Sequence, residues 1–270
     1  MYSRSRIGWI VQTMKKEKLV FRKRFGQNYL IDDNALERIV EAIDLSGGEN
    51  VLEIGPGLGA LTERLLTRDI ALYAVEIDRD LGRILARDFA GENFHLLVDD
   101  ILKVDPLVFP QPLVIVGNLP YYITSAIIMH FLESSLDISS MVLMMQKEVA
   151  HRLVASPGSK EYGVLSVITQ IYADVEKLFD VGRNCFMPTP KVDSSLVKLW
   201  PGKNQKLEEK GLQIIKAAFS RRRKTLNNSL SSNFEKEEIG LALKNAGIDP
   251  TRRAESLSID EFKSLIALWP

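Results

Sequence analysis

The sequence predicts an α/β protein, a parallel sheet covered by helices on both faces and followed by a small all-helical domain. Three features carry the prediction. Short apolar runs alternate with amphipathic segments between residues 35 and 146, as strands crossing over through helices require. The first of these runs ends in the glycine-rich turn "GPGLG". From Leu207 onward strand-like runs vanish and only helical segments with polar joins remain.

Taken in order, "DDNALERIVEAIDLSGGE" places Leu36, Ile39, Val40 and Ile43 on one helical face, with Asp32 or Asp33 as cap and Gly47 as stop. "NVLEI" is a strand, "GPGLG" a turn and "ALTERLLTRD" a helix. "IALYAVEID" reads as strand, "RDLGRILARDFA" as helix, "FHLLVDD" and "LVIVGNLP" as strands, "SAIIMHFLES" as helix and "SMVLMMQ" as strand. After "VDSSLVKLWPGKN" come the helices "LQIIKAAFS", "EEIGLALKNAG" and "IDEFKSLIALW". The expected division is a basic leader or arm over 1–24, a Rossmann-like domain over 25–203 and a helical domain over 204–270.

Composition narrows the function. With 270 residues and 46% hydrophobic content, the chain can build one substantial core plus an appended module. The single cysteine, Cys185, excludes an internal disulfide framework, and His95, His130 and His151 are too scattered to join it as zinc ligands. A cytoplasmic protein without structural metal is expected. The apolar patch Ile7 to Val11 is too short for a signal-peptide core. Nothing resembles a membrane span, and no feature demands an obligate dimer, so a monomer is expected.

Lysine plus arginine and aspartate plus glutamate balance at 35 each, but the cations are unevenly placed. Arg4, Arg6, Lys15, Lys16, Lys18, Arg22, Lys23 and Arg24 face only Glu17 before residue 25, and "SRRRK" holds Arg221, Arg222, Arg223 and Lys224. Local basic blocks on a neutral chain suit phosphate contacts, although either block can equally be a solvated face.

In a doubly wound sheet ligands bind beyond the carboxyl ends of the strands. Four such ends carry chemistry here. Gly55, Gly57 and Gly59 let backbone amides approach a ligand at a helix amino end. With Ala60 they also fit the loose dinucleotide pattern, so a nicotinamide oxidoreductase is a rival. Glu76 ends the next strand, 21 residues after Gly55, and suits ribose hydroxyls in either cofactor class. Asp100, or Asp99, ends the third where a carboxylate can hold an adenine amino group or merely cap a turn.

"NLPYYITS" follows the fourth strand. An exocyclic amine on a nucleobase is a poor nucleophile because its lone pair is delocalised into the ring. Two acceptors gripping its protons favour a pyramidal, electron-rich nitrogen, and Asn118 Oδ1 with the Leu119 carbonyl can serve as those acceptors. Pro120 stiffens the turn so that the acceptors are fixed in advance. Tyr121 can stack on the base and favour positive charge on the methylated nitrogen. Read alone, the corner is also an ordinary turn with two packing tyrosines.

Six segments in order, "RFGQNYL", "VLEIGPGLGALT", "VEID", "GNLPYYITS", "FMPTPKVDSSLVKL" and "RRRKTLNNSL", resemble the small-subunit ribosomal RNA adenine N6,N6-dimethyltransferase family (KsgA/RsmA type). The resemblance implies a Rossmann-like S-adenosylmethionine-dependent methyltransferase. Its implied substrate is N6 of two adjacent adenosines near the 3′ end of 16S rRNA, modified during assembly of the 30S subunit. It assigns Asn28 and Leu30 to the cofactor beside Gly55, Gly57, Glu76, Asp100 and Asn118. It makes Phe186, otherwise as readily a core residue, a second stacking aromatic opposite Tyr121. It leaves Tyr122 without a role. Arg22, Lys23, Arg24 and Arg221 to Lys224 then become RNA contacts. Rival readings are a large-subunit adenine methyltransferase of the antibiotic-resistance type and a non-catalytic RNA-binding factor on the same scaffold. A cytosine-C5 methyltransferase needs a cysteine nucleophile, which Cys185 after Asn184 does not suit.

Overall fold

The computed structural model describes residues 7–20, 26–202, 207–221 and 223–270. Helix α1 (Ile7–Lys16) precedes a two-residue strand β1 (Tyr29–Leu30) and helix α2 (Asp33–Ile43). Then follow β2 (Glu49–Ile54), α3 (Ala60–Leu65), β3 (Ile70–Val75), α4 (Arg79–Asp88), β4 (Phe94–Leu97), β5 (Leu113–Asn118), α5 (Thr124–Leu132) and β6 (Ile138–Gln146). Next come α6 (Lys147–Leu153), α7 (Val164–Tyr172), β7 (Ala173–Val181), β8 (Phe186–Met187) and β9 (Ser194–Pro201). Helices α8 (Glu209–Ala218), α9 (Leu226–Leu230), α10 (Lys236–Asn245) and α11 (Ile259–Ala267) complete the chain.

The main sheet has seven strands in the order β4-β3-β2-β5-β6-β9-β7. Its first five strands pair in parallel, and β9 returns antiparallel to β6. Central strands read as unbroken apolar runs because both faces are covered: Val51, Leu52, Ile115, Val116, Met141 and Val142 are fully buried. Gly117 of β5 pairs with Ile54 of β2. A Cβ there would lie 2.7 Å from the Ile54 carbonyl oxygen, so no other residue fits without moving a strand.

Several expectations are corrected. Asp32 caps α2, its carboxylate accepting from Ala35 N at 2.8 Å. The helix stops, however, at Asp44 in the left-handed region, φ 62°, rather than at Gly47. Part of the expected leader is a packed helix. Ile10 of α1 is 1% exposed and packs with Leu58, Leu81 and Ile84, while Glu17 accepts from Arg87 at 2.7 Å. The sheet is mixed, and "ADVEKLFDV" supplies β7, a strand the pattern hid. Its exposed charges mark it as an edge.

The chain forms two compact units, 1–150 with 176–201, and 151–175 with 202–270. The expected division at residues 203 and 204 therefore misplaces 151–175. In the second unit α7 buries Val167, Ile168, Ile171 and Tyr172 and packs on α8 and α11. Tyr162 Oη donates to the Leu257 carbonyl at 2.9 Å. No helix among the described residues is long and apolar enough to cross a membrane.

Candidate active site

The strand order reverses direction between β2 and β5, and a cavity opens at the carboxyl ends of β2, β3 and β5, where such sheets bind ligands. It is lined by Asn28, Leu30, Gly55, Gly57, Glu76, Asn118, Leu119, Pro120 and Tyr121, with Ile10, Glu53 and Met144 among the others. Sequence reasoning thus placed nine of its site residues around one space.

The glycine turn has positive φ at Gly55 and Gly57, 67° and 62°. At Gly57 a Cβ would also crowd the Tyr29 ring at 3.2 Å. The Gly57 amide donates to Glu76 Oε2 at 3.0 Å, and the Asp78 amide to Glu76 Oε1 at 2.8 Å. Glu76 is 4% exposed. Burial without a cation raises its carboxyl from 4.5 to about 7 despite these donors. Each oxygen keeps a further lone pair, so donors such as a ribose diol would fill the remaining capacity.

A second buried acid, Glu53, was not singled out from the sequence. Thr62 Oγ1 donates to its Oε2 at 2.6 Å. Burial first, and the neighbouring Glu76 charge as well, push its carboxyl up to about 7. The signal was available in "VLEIGPG", an acid flanked by fully apolar neighbours.

Asn118 closes β5. Its Nδ2 donates to the Asn28 carbonyl at 2.9 Å, which fixes the amide so that Oδ1 is the acceptor end; among the described residues Oδ1 accepts nothing. The segment carrying Asn28 is itself fastened. Gln27 Nε2 donates to Asp78 Oδ2 at 3.0 Å and Asn28 Nδ2 to the Gly26 carbonyl at 3.1 Å. Leu119 N donates to the Met144 carbonyl at 2.9 Å. Thr124 Oγ1 and Ile123 N both donate to the Pro120 carbonyl, at 3.0 and 3.2 Å. The turn is therefore held on both sides while the Leu119 carbonyl accepts no bond among the described residues. Tyr121 is half-buried and its hydroxyl lies 2.8 Å from Ser194 Oγ. Burial raises its phenol above the usual range.

Two residues are not brought to this cavity. Phe186 is 1% exposed in the core with Leu30, Leu36 and Leu196. It pairs with Leu30 in the small antiparallel sheet of β1 and β8, two residues along from Asn28. Asp100 lies beyond β4, outside the cavity lining, and its Oδ1 accepts from Leu102 N at 3.1 Å. Asp99 is likewise turned to the backbone, accepting from Asp100 N at 2.7 Å. Arg22, Lys23, Arg24 and Arg222 lie outside the described residues; Arg221, Arg223 and Lys224 are exposed. Among the described residues no cluster of acids, histidines and cysteine could hold a metal ion.

A glycine turn, a buried strand-end acid and an amide hook at a topological switch point define a Rossmann-like methyltransferase, and S-adenosylmethionine is its methyl donor. The family model described as ribosomal RNA adenine dimethylase matches residues 18–269, and the chain belongs to that family. It is 47% identical over 251 residues to ribosomal RNA small subunit methyltransferase A of Desulfitobacterium hafniense, covering 90% of each. Against the protein so named in Clostridium botulinum it is 42% identical over 263 residues, covering 94% of this chain and 96% of the relative. A dimethyladenosine transferase from Plasmodium falciparum superposes with a TM-score of 0.78 at 27% identity, over 87% of this chain and 95% of that one. The 23S rRNA methyltransferase ErmE does so with 0.69 at 28%, over 90% and 99%.

Proposed function

We propose that the protein dimethylates N6 of adjacent adenosines in small-subunit ribosomal RNA, on the assembling 30S particle in the cytoplasm, as a monomer. The observation that carries the reading is the Asn118 carboxamide, fixed with Oδ1 free at the rim of a cavity that Gly55, Gly57 and Glu76 also line. Asn28, Leu30 and the glycine turn hold the cofactor, and Glu76 accepts from its ribose. When bound, S-adenosylmethionine would supply an electrophilic methyl carbon, with its thioether as the leaving group.

Asn118 Oδ1 and the Leu119 carbonyl accept the two protons of the adenine amine, turning its lone pair out of the ring toward the cofactor side. After the first transfer one N–H remains and one acceptor suffices. The displaced proton leaves to water. Tyr121 offers its ring to the base, which must leave its stack at a cost of a few kcal/mol. Cations of the helical unit, Arg221 to Lys224, supply phosphate affinity that falls steeply with salt. The relatives at 42–47% identity named for the small subunit favour this substrate over the large-subunit one suggested by the ErmE likeness.

Mapping modified nucleotides in rRNA from cells with and without the protein is the direct test. Loss of N6-dimethyladenosine from 16S rRNA is expected, whereas loss from 23S rRNA sinks the assignment. Replacing Asn118 by Ala should lower methylation by about 10³-fold while calorimetry still detects S-adenosylmethionine binding. An Asn118→Ala protein of full activity would leave a non-catalytic or different role.

A further inference from the structure

Beside the catalytic corner lies a separate cleft lined by Gln146, Lys147, Glu148, Arg183, Lys191 and Asp193, together with Gly182, Asn184 and Val192. We infer that this cleft seats the phosphodiester that flanks the target adenosine, through Arg183 and Lys191. The inference rests on the rRNA reading above and adds to it a binding site outside the cofactor cavity.

Sheet register fixes where the cleft is. Asn118 pairs with Met144, and Gln146, two residues further toward the carboxyl end of β6, pairs with Ser194 of β9. Two residues of strand rise and one strand spacing put the Gln146 backbone roughly 8 Å from that of Asn118. That is about the reach of one nucleotide. Ser194, next to Asp193 of the lining, is the partner of the Tyr121 hydroxyl, so the cleft and the stacking ring share a wall.

The charges divide into tied and available. Lys147 is tied to Asp180 at 2.7 Å, and Asp180 also takes Lys177 at 3.0 Å and the Ser195 hydroxyl at 2.7 Å. Asp193 is turned to the backbone, its Oδ1 accepting from Arg183 N at 3.0 Å and its carbonyl from Lys147 N at 3.0 Å. Glu148 is the remaining lining acid and is exposed. Arg183 and Lys191 are also exposed. The Arg183 side chain makes one long contact, 3.5 Å, to the Lys191 carbonyl, and neither cation has a carboxylate partner among the described residues. That contact sets the Arg183 guanidinium beside the Lys191 main chain, and both residues line the cleft. A guanidinium presents a planar fork that matches two phosphate oxygens, and the lysine adds a point charge.

The test is a double variant, Arg183→Gln with Lys191→Gln, on purified small subunits lacking the modification, with wild type in parallel. The expected result is a KM for subunits raised roughly tenfold and a log-log salt slope reduced by about 1 to 2, with S-adenosylmethionine affinity unchanged. The charge-keeping Arg183→Lys with Lys191→Arg should recover most of the affinity. Ultraviolet cross-linking should join the peptide around 182–193 to 16S rRNA. An unchanged KM and salt slope overturn the inference, as do cross-links from this peptide to ribosomal protein alone. Wild-type enzyme that fails to methylate small subunits sinks the parent reading, an outcome distinct from active wild type with an indifferent double variant.

Discussion

Glu53 and Glu76 stand within one cavity as buried acids, and their protonation links the site to stability. Both carboxyls are raised from 4.5 to about 7, so between those pH values the folded chain holds protons that the unfolded chain has released. The stability this gives is complete below about pH 4.5 and is lost as pH rises through about 7. Glu53→Gln removes the charge and keeps an acceptor for Thr62. It should raise the melting temperature of the cofactor-free protein at pH 8 and flatten its decline between pH 5 and 8, measured by thermal unfolding across pH. A wild-type profile that stays level over that range would contradict the assignment. Tyr121 gives a second residue-scale prediction. Tyr121→Phe keeps the ring and loses the contact with Ser194, so activity should fall less than about tenfold, whereas Tyr121→Ala should fall more than about hundredfold. Equal losses in single-turnover assays would show that the hydroxyl, not the ring, matters.

At the scale of elements, strands buried on both faces announced themselves as apolar runs, and the turn chemistry between them was equally plain in "GPGLG" and "NLPYY". What the sequence concealed were pairings between distant segments. Strands β1 and β8 are two residues each and lie more than 150 positions apart, yet they pair Leu30 with Phe186. No local period encodes such a contact, so Phe186 read as readily as a pocket aromatic as a core one. Strand β7 was concealed for the opposite reason, since an edge tolerates charges that break the alternation. The lack of room for a side chain at Gly117 is likewise invisible without the fold. Gly117→Ala places a methyl 2.7 Å from the Ile54 carbonyl, immediately before the glycine turn. We expect a loss of about 1–3 kcal/mol in urea unfolding and weaker S-adenosylmethionine binding from the same displacement, read by calorimetry. A variant as stable as wild type would mean that β2 yields without cost.

For the whole molecule, the division into units decides where the chain can be cut. Composition changes near Pro201, which made residues 203 and 204 the natural boundary to the eye, because strand-like runs stop there. The contacts place 151–175 with the carboxyl-terminal helices instead. Helix α7 buries six of its nine residues, Tyr162 is bonded to the Leu257 carbonyl, and Leu207 N donates to the Tyr172 hydroxyl at 3.2 Å. A chain ending at Pro201 keeps α7 but removes α8 and α11, the helices it packs against. Its apolar face, with Val167, Ile168 and Ile171, would then meet water, at roughly 1.5–3 kcal/mol for each large side chain exposed. The truncated protein is therefore expected to aggregate or to melt far below the full chain, even though every residue of the cofactor cavity is retained. Light scattering and thermal unfolding of the 1–201 fragment check this. A soluble, cooperatively folding fragment that still binds S-adenosylmethionine would place 151–175 with the sheet after all.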